Sequence, residues 1–389
     1  MPLRFDNAPH ELFDQVCQHL PSWDYDDLQA FLERLEQVAI TGDDRDRARG
    51  FAVLTLMLDR VYPTGALKRS CLLALIDRSL ANLIDHVRLA PSRAYAWLGY
   101  DSPLPESGDP DTILVVDARG YPSEGERSLA RALVVMQQRG FRRFIVANVC
   151  GQRFIGCGLG PNTEGVRIDV YGSSGDYLAS GIDGAEIVVH GTAQDQLAQI
   201  MKAGTLVVYG DVGQTFMYAA KGGAAFILGS AAGRPLINAV GRPRVVINGT
   251  CLDYLAESFM AGDPLHGGGF VILNGITFDE DGTIRDLETP YPGGNLFSLA
   301  SGGAIYLRDP YRTVADDQLN GGEFAPLSTQ DWALIQPYLE ENERRFGIPL
   351  SRLLTGGGRL QSPEQVYRKI QPAGHKALMP EEAWVKRKV

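Results

Sequence analysis

The chain has 389 residues, 44% apolar and 22% charged, enough for two or three domains with sizeable cores. Lysine and arginine number 37 against 47 aspartates and glutamates, a formal net charge of −10, and no basic run offers the face a nucleic-acid binder needs. No stretch approaches the roughly 20 apolar residues of a membrane span, and the first residues lack the pattern of a secretory signal, so a cytoplasmic protein is expected. The five cysteines (Cys17, Cys71, Cys150, Cys157, Cys251) are scattered. Only Cys150 and Cys157 are neighbours, and they lack a second pair or a histidine at ligand spacing, so neither a disulfide framework nor a zinc or iron–sulfur site is expected.

Residues 1–100 read as a helical domain or arm. Leu28, Phe31, Leu32, Leu35, Val38 and Ala39 share one helical face, as do Leu72, Leu75, Ile76, Leu80, Leu83, Ile84 and Val87, and residues 46–61 form a helix that ends before Pro63. The acidic run Asp24–Asp27 fits a solvated helix start or a contact surface. His10, His19 and His86 lie on different segments and suggest no shared site. Residues 101–111, DSPLPESGDPD, hold three prolines and read as a linker.

Residues 112–166 read as a β-α-β cap and first turn. A strand at 113–116 is followed by a helix, opened by Ser123 and Glu126 at capping-box spacing and ended by Gly140, and by a strand at 144–147. The GCGLG run at 156–160 follows the second strand rather than the first and precedes Pro161 rather than a helix, so a dinucleotide site is not expected there.

From residue 167 the sequence repeats. Short β-branched runs end at Gly172, Gly191, Gly210, Gly229, Gly249 and Gly275, spaced 19, 19, 19, 20 and 26 residues apart, with a second set of glycines at 184, 204, 223 and 269. One strand and two turns per period suit a solenoid, and the period suits a parallel β-helix over 167–310. The six terminal glycines are structural corners, where positive φ or stacked backbone excludes a Cβ. His190, Asp195 and Asp211 adjoin these corners and are either solvated turn residues or the lining of a binding surface. In residues 311–389, a capping helix from Thr329 to Phe346, opened by Ser328 and Asp331, is expected to close the far end of the solenoid. The tail beyond it carries Arg352, Arg359, Arg368, Lys369 and Lys376 and reads as an extended docking segment.

Five motifs in order resemble the GXGXG domain of glutamate synthase, most closely its stand-alone form, the domain-3 subunit of the large chain: VVDARG (115–120), NVCGQRFIGCGL (148–159), HGTAQDQL (190–197), GDVGQTFMYAAKGG (210–223) and ASGGAIYLR (300–308). The likeness runs over about residues 112–375 and extends, more loosely, to a formylmethanofuran dehydrogenase subunit. It implies a right-handed parallel β-helix that serves as a non-catalytic scaffold in a glutamate synthase-like amidotransferase/oxidoreductase complex. It also implies that FMN and iron–sulfur clusters sit on partner subunits, one of them an amidotransferase, and that this chain binds no cofactor. The chain begins Met-Pro-Leu, so no N-terminal cysteine nucleophile is expected. Two alternatives are a scaffold in a molybdenum or tungsten formyl-transfer complex and a stand-alone β-helix enzyme acting on a polysaccharide. Against the last stand the acidic net charge and the lack of an Asp/Arg ladder on the repeat strands.

Overall fold

The computed structural model describes residues 3–374. Four helices open it: α1 (Pro9–His19), α2 (Tyr25–Thr41), α3 (Asp44–Asp59) and α4 (Arg69–Leu89). The acidic run is a helix cap: Asp24 accepts the Asp26 and Asp27 amides, and Asp27 reaches back to the Asp24 amide. Asp43 and Asp46 open α3 in the same way. The two predicted apolar stripes meet, burying Leu28, Leu32 and Leu35 against Leu72, Ile76, Leu80 and Leu83.

The helical character ends before residue 100. Tyr95–Leu98 is a strand, β1, parallel to β2 (Ile113–Asp117), because its aromatic and apolar side chains complete a sheet edge. The segment expected as a linker is therefore a loop between adjacent strands, tied down by the Gly108 amide donating to the Arg139 carbonyl at 2.8 Å. Helix α5 (Leu129–Gln138) begins at Ser128, not at Ser123, since Gly125 with φ +100° cannot continue a helix.

Next come β3 (Arg143–Cys150), β4 (Arg167–Ser173), β5 (Asp183–His190), β6 (Ala203–Val208), β7 (Ala224–Ile227), β8 (Arg244–Ile247) and β9 (Phe270–Leu273). A hairpin follows, β10 (Ile276–Phe278) and β11 (Ile284–Asp286), then β12 (Ala304–Arg308) and β13 (Gly322–Ala325). The chain goes on through α6 (Thr329–Phe346), α7 (Leu350–Leu353), the short pair β14 (Thr355–Gly356) and β15 (Arg359–Leu360), α8 (Pro363–Val366) and β16 (Tyr367–Pro372). The main sheet has 12 strands in the order β1-β2-β3-β4-β5-β6-β7-β8-β9-β12-β16-β13. It is open and parallel from β1 to β12, and it ends on two antiparallel pairings. One register line runs Ile168, Ile187, Leu206, Ala225, Val245, Val271, Ile305.

Both faces of this sheet are buried, which is why its strands read as unbroken apolar runs. Inward-facing Ile187, Leu206, Val245 and Val271 join a core filled by the loops between strands, with Leu197, Phe216, Leu236 and Leu255 fully buried. Outward-facing Val115, Ile145 and Tyr171 pack under α1–α4. Outward-facing Val207, Phe226, Val246 and Phe270 pack under α6 through Ile335, Leu339 and Phe346. Helix α6 thus spans Thr329–Phe346 behind its Ser328 cap as expected, but it covers the flank of the sheet rather than its end. Strand β16 pairs with the last parallel strand instead.

The tail, expected to be a docking segment, is also pinned. Arg352 pairs with Asp286 at 2.9 Å, Arg368 with Asp309 at 2.9 Å and Lys369 with Asp331 at 2.8 Å. Arg359 is exposed on β15, and Lys376 lies outside the described residues.

Between successive strands lies a second stacked element. Alternate residues take positive φ in seven successive rows, among them Tyr177/Ala179/Gly181, Gln196/Ala198/Ile200, Thr215/Met217/Ala219 and Arg234/Leu236/Asn238. The middle residue donates its amide to the row before (Ala198 to Leu178 at 2.8 Å, Met217 to Leu197 at 2.7 Å), and the first donates to the row after (Gln196 to Gln214 at 2.8 Å). Each non-glycine residue in this region costs about 1–2 kcal/mol, and hydrogen bonds to both neighbouring rows hold it there. The GCGLG run belongs to the first row: Phe154, Gly156 and Gly158 have positive φ, and Ala179 donates to Ile155 at 2.8 Å.

Candidate functional site

The corner glycines divide by cause. Gly172 and Gly275 have φ of +115° and +62°, a region that disfavours side chains. A Cβ on Gly210, Gly229 or Gly249 would instead lie 2.8 Å from the carbonyl oxygen of the glycine one repeat earlier, so close stacking excludes it. At Gly191 the nearest atom to such a Cβ is 3.6 Å away.

His190, Asp195 and Asp211 do not form one site. Asp195 accepts the Gln214 amide at 2.8 Å and Asp211 the Ser230 amide at 2.7 Å, each exposed and each tying a corner to the next repeat. His190 is no solvated turn residue, since it is only 7% exposed, but it does line a cavity between α3, the sheet and the end of α6. It ends β5 on the outward face, where α3 covers it. Its ring nitrogens face two carboxylates, Nδ1 at 2.9–3.0 Å from Asp59 and Nε2 at 3.2 Å from Asp169. Tyr171 and Tyr209, one repeat away on either side, stack on it at 4.2 and 5.7 Å.

Burial disfavours the charged ring, but Asp59 and Asp169 outweigh it and lift the His190 pKa to about 9. Asp169, although buried, is held down to about 2 by hydrogen bonds from His190 and Arg167. Burial pushes Asp59 up, against the pull of His190. The charges continue outward: Arg167 grips Asp169 at 2.7 and 2.8 Å and Glu186 at 2.9 Å, and Glu186 meets Arg345 of α6 at 3.0 Å. A line of ion pairs thus joins α3, the sheet and α6.

This imidazolium can act as a bridge but not as a base, since both N–H groups are engaged and neither nitrogen keeps a lone pair. The thiols are equally unsuited to nucleophilic work where they are buried. Burial pushes Cys17 and Cys157 up to about 12 and also raises Cys251. Among the described residues no group of three or more His, Cys, Asp or Glu is arranged to hold a metal. Asp169 was open to discovery in the sequence, as the one charged residue inside the Ile168–Tyr171 run. Asp59 was not, because only the docking of α3 brings it to His190.

Beside this bridge a cavity of about 540 Å³ opens between α3, the sheet and the end of α6, with Phe51, Leu56, Ile145, Arg60, Arg143 and Arg345 on its walls. These features define a protein built from strand-and-turn repeats in one long parallel sheet, with helices clamped to its flank by buried ion pairs. The GXGXG motif family matches residues 127–354, more than half the chain, and the protein belongs to that family. The GXGXG domain is found in glutamate synthase-like proteins. No curated protein matches the chain.

Proposed function

We propose that this protein is a non-catalytic scaffold subunit of a multi-subunit, glutamate synthase-like amidotransferase/oxidoreductase complex. In this reading the repeats wind as coils of a right-handed parallel β-helix. The parallel strands form one side of each coil, the bridges Ala193–Val212–Ala231–Cys251 a second, and the rows of alternating positive φ a third. The observation that carries the scaffold reading is the use to which the reactive groups are put. His190, Asp169, Asp331, Arg308 and Lys369 all serve buried ties between the sheet and its flanking segments, a rigid frame rather than a reaction centre. FMN and iron–sulfur chemistry would belong to the partner subunits, one of them an amidotransferase.

The test is purification of the tagged chain from its native host under gentle conditions, with mass spectrometry and a visible spectrum of what accompanies it. Partner subunits with flavin and iron–sulfur absorbance are expected, together with glutamine-dependent turnover that the isolated chain lacks. A molybdopterin-bearing partner would move the protein to a formyl-transfer complex. Turnover of glutamine by the isolated chain would overturn the scaffold role.

A further inference from the structure

The cavity beside His190 is far larger than the voids close packing leaves in a protein interior. At about 540 Å³ it falls within the roughly 300–1,000 Å³ of small-molecule sites. Its charge runs against that of the protein. The chain carries a net −10, yet five arginines (Arg60, Arg143, Arg167, Arg344 and Arg345) line the cavity against two aspartates, Asp59 and Asp169.

Three of these arginines are committed elsewhere. Arg167 is taken by Asp169 and Glu186, Arg345 by Glu186 and Glu341, and Arg344 by Glu341. Arg60 and Arg143 are not: neither is in an ion pair among the described residues. Arg60 is half-buried at the end of α3 and spends one donor on the carbonyl oxygen of Arg344 at 2.9 Å, which leaves further N–H groups of its fork free. Arg143 is exposed at the start of β3, next in register to Arg167 and on the same sheet face as Ile145. Between them, Phe51, Leu56 and Ile145 supply an apolar wall.

We propose that this cavity binds a small organic oxyanion, with Arg60 and Arg143 as the charge-bearing donors and the Phe51–Leu56–Ile145 wall against its apolar body. Guanidinium forks suit both carboxylate and phosphate oxygens, and a charge-assisted pair in a partly water-excluded cleft is strong enough to orient the ligand. Because the donors come from α3 and β3 and the rim includes the end of α6, the bound anion would hold the helical arm against the sheet.

Isothermal titration of the full chain at constant ionic strength, with inorganic phosphate in one arm and succinate in the other, tests this. One-to-one saturable binding of at least one anion is expected, and the arm that binds identifies the oxyanion. Arg143→Gln alone, a change at an exposed side chain, should weaken it several-fold, and with Arg60→Gln by at least about tenfold. Arg142→Gln, which lies off the cavity, should leave it unchanged. Absence of saturation in both arms up to about 10 mM, or undiminished binding by Arg143→Gln and the double variant, would overturn the proposal.

Discussion

In the repeat stack, each unit is joined to the next by the parallel ladder, by the glycine column and by the rows of alternating φ, and each contact recurs about every 19 residues. In the helical arm the joints are not periodic. Helices α1–α4 have their own core, and they meet the sheet through an apolar patch around Val115, Ile145 and Tyr171, the buried bridge at His190 and a hydroxyl hydrogen bond between Thr55 and Tyr171 at 2.7 Å. A stack of this kind averages its stability over many equivalent backbone contacts. An arm attached at one patch concentrates it in a few side chains. Damage to the stack should therefore spread along the chain, whereas damage to the bridge should free one body from another.

The largest effect is expected from Gly229→Val. Its Cβ would sit 2.8 Å from the Gly210 carbonyl oxygen, and that neighbour is backbone in the middle of the column, unable to yield without breaking the ladder on both sides. Loss of more than about 4 kcal/mol, or of soluble protein altogether, should appear in chemical denaturation followed by far-UV circular dichroism. A normal transition would show that the column is looser than the stacking implies.

His190→Ala comes next and acts on the arm. It leaves the buried Asp59 without its cation and Asp169 with Arg167 alone, a loss of about 3–5 kcal/mol at the arm–sheet contact. Limited proteolysis should then cut within the α1–α4 region while the strand signal stays intact. The same bridge carries a pH signature. His190 is raised from 6.5 to about 9, so its contribution is complete below pH 6.5 and fades as pH rises through 9. A shift of that size corresponds to about 3 kcal/mol. Asp169, lowered from 3.8 to about 2, contributes above pH 3.8 and loses its share as pH falls through 2. The alkaline loss should vanish in His190→Ala; if it persists, another group governs it.

The same contrast sets what could be read from sequence. Periodicity reveals whatever recurs: the strands after Gly184, Gly204 and Gly223 and the Ser328-capped α6 lie where their apolar runs and cap place them. It is blind to what a turn does internally. The row Thr215/Met217/Ala219 contains no glycine to announce positive φ, and the visible traces of that geometry are the GCGLG run, with glycine at alternate positions, and Gly181 in the next row. Partners brought together by docking are blinder still. Asp59 and His190 are 131 residues apart, and nothing near Asp59 marks it as the acceptor for a buried cation. The placement of α6 was missed for a related reason, since an amphipathic helix reports that it has an apolar face but not which surface receives it.

The smallest effect tests the stack at its rim. Asp195 and Asp211 sit at two different corners of successive repeats, and each accepts the amide of the next repeat, at 2.8 and 2.7 Å, with the carboxylate exposed to water. Water can replace an exposed acceptor, so Asp195→Ala or Asp211→Ala should cost only about 0.5–1.5 kcal/mol in thermal or chemical denaturation. The two ties lie on different columns, Asp195 over Gln214 and Asp211 over Ser230, but they join successive pairs of repeats and share the repeat between them. If the stack unfolds as one cooperative unit, the double variant should lose about the sum of the two with a single sharp transition. If the repeats can open individually, it should lose more than the sum and show a broadened transition, as the repeat shared by the two ties lets go first.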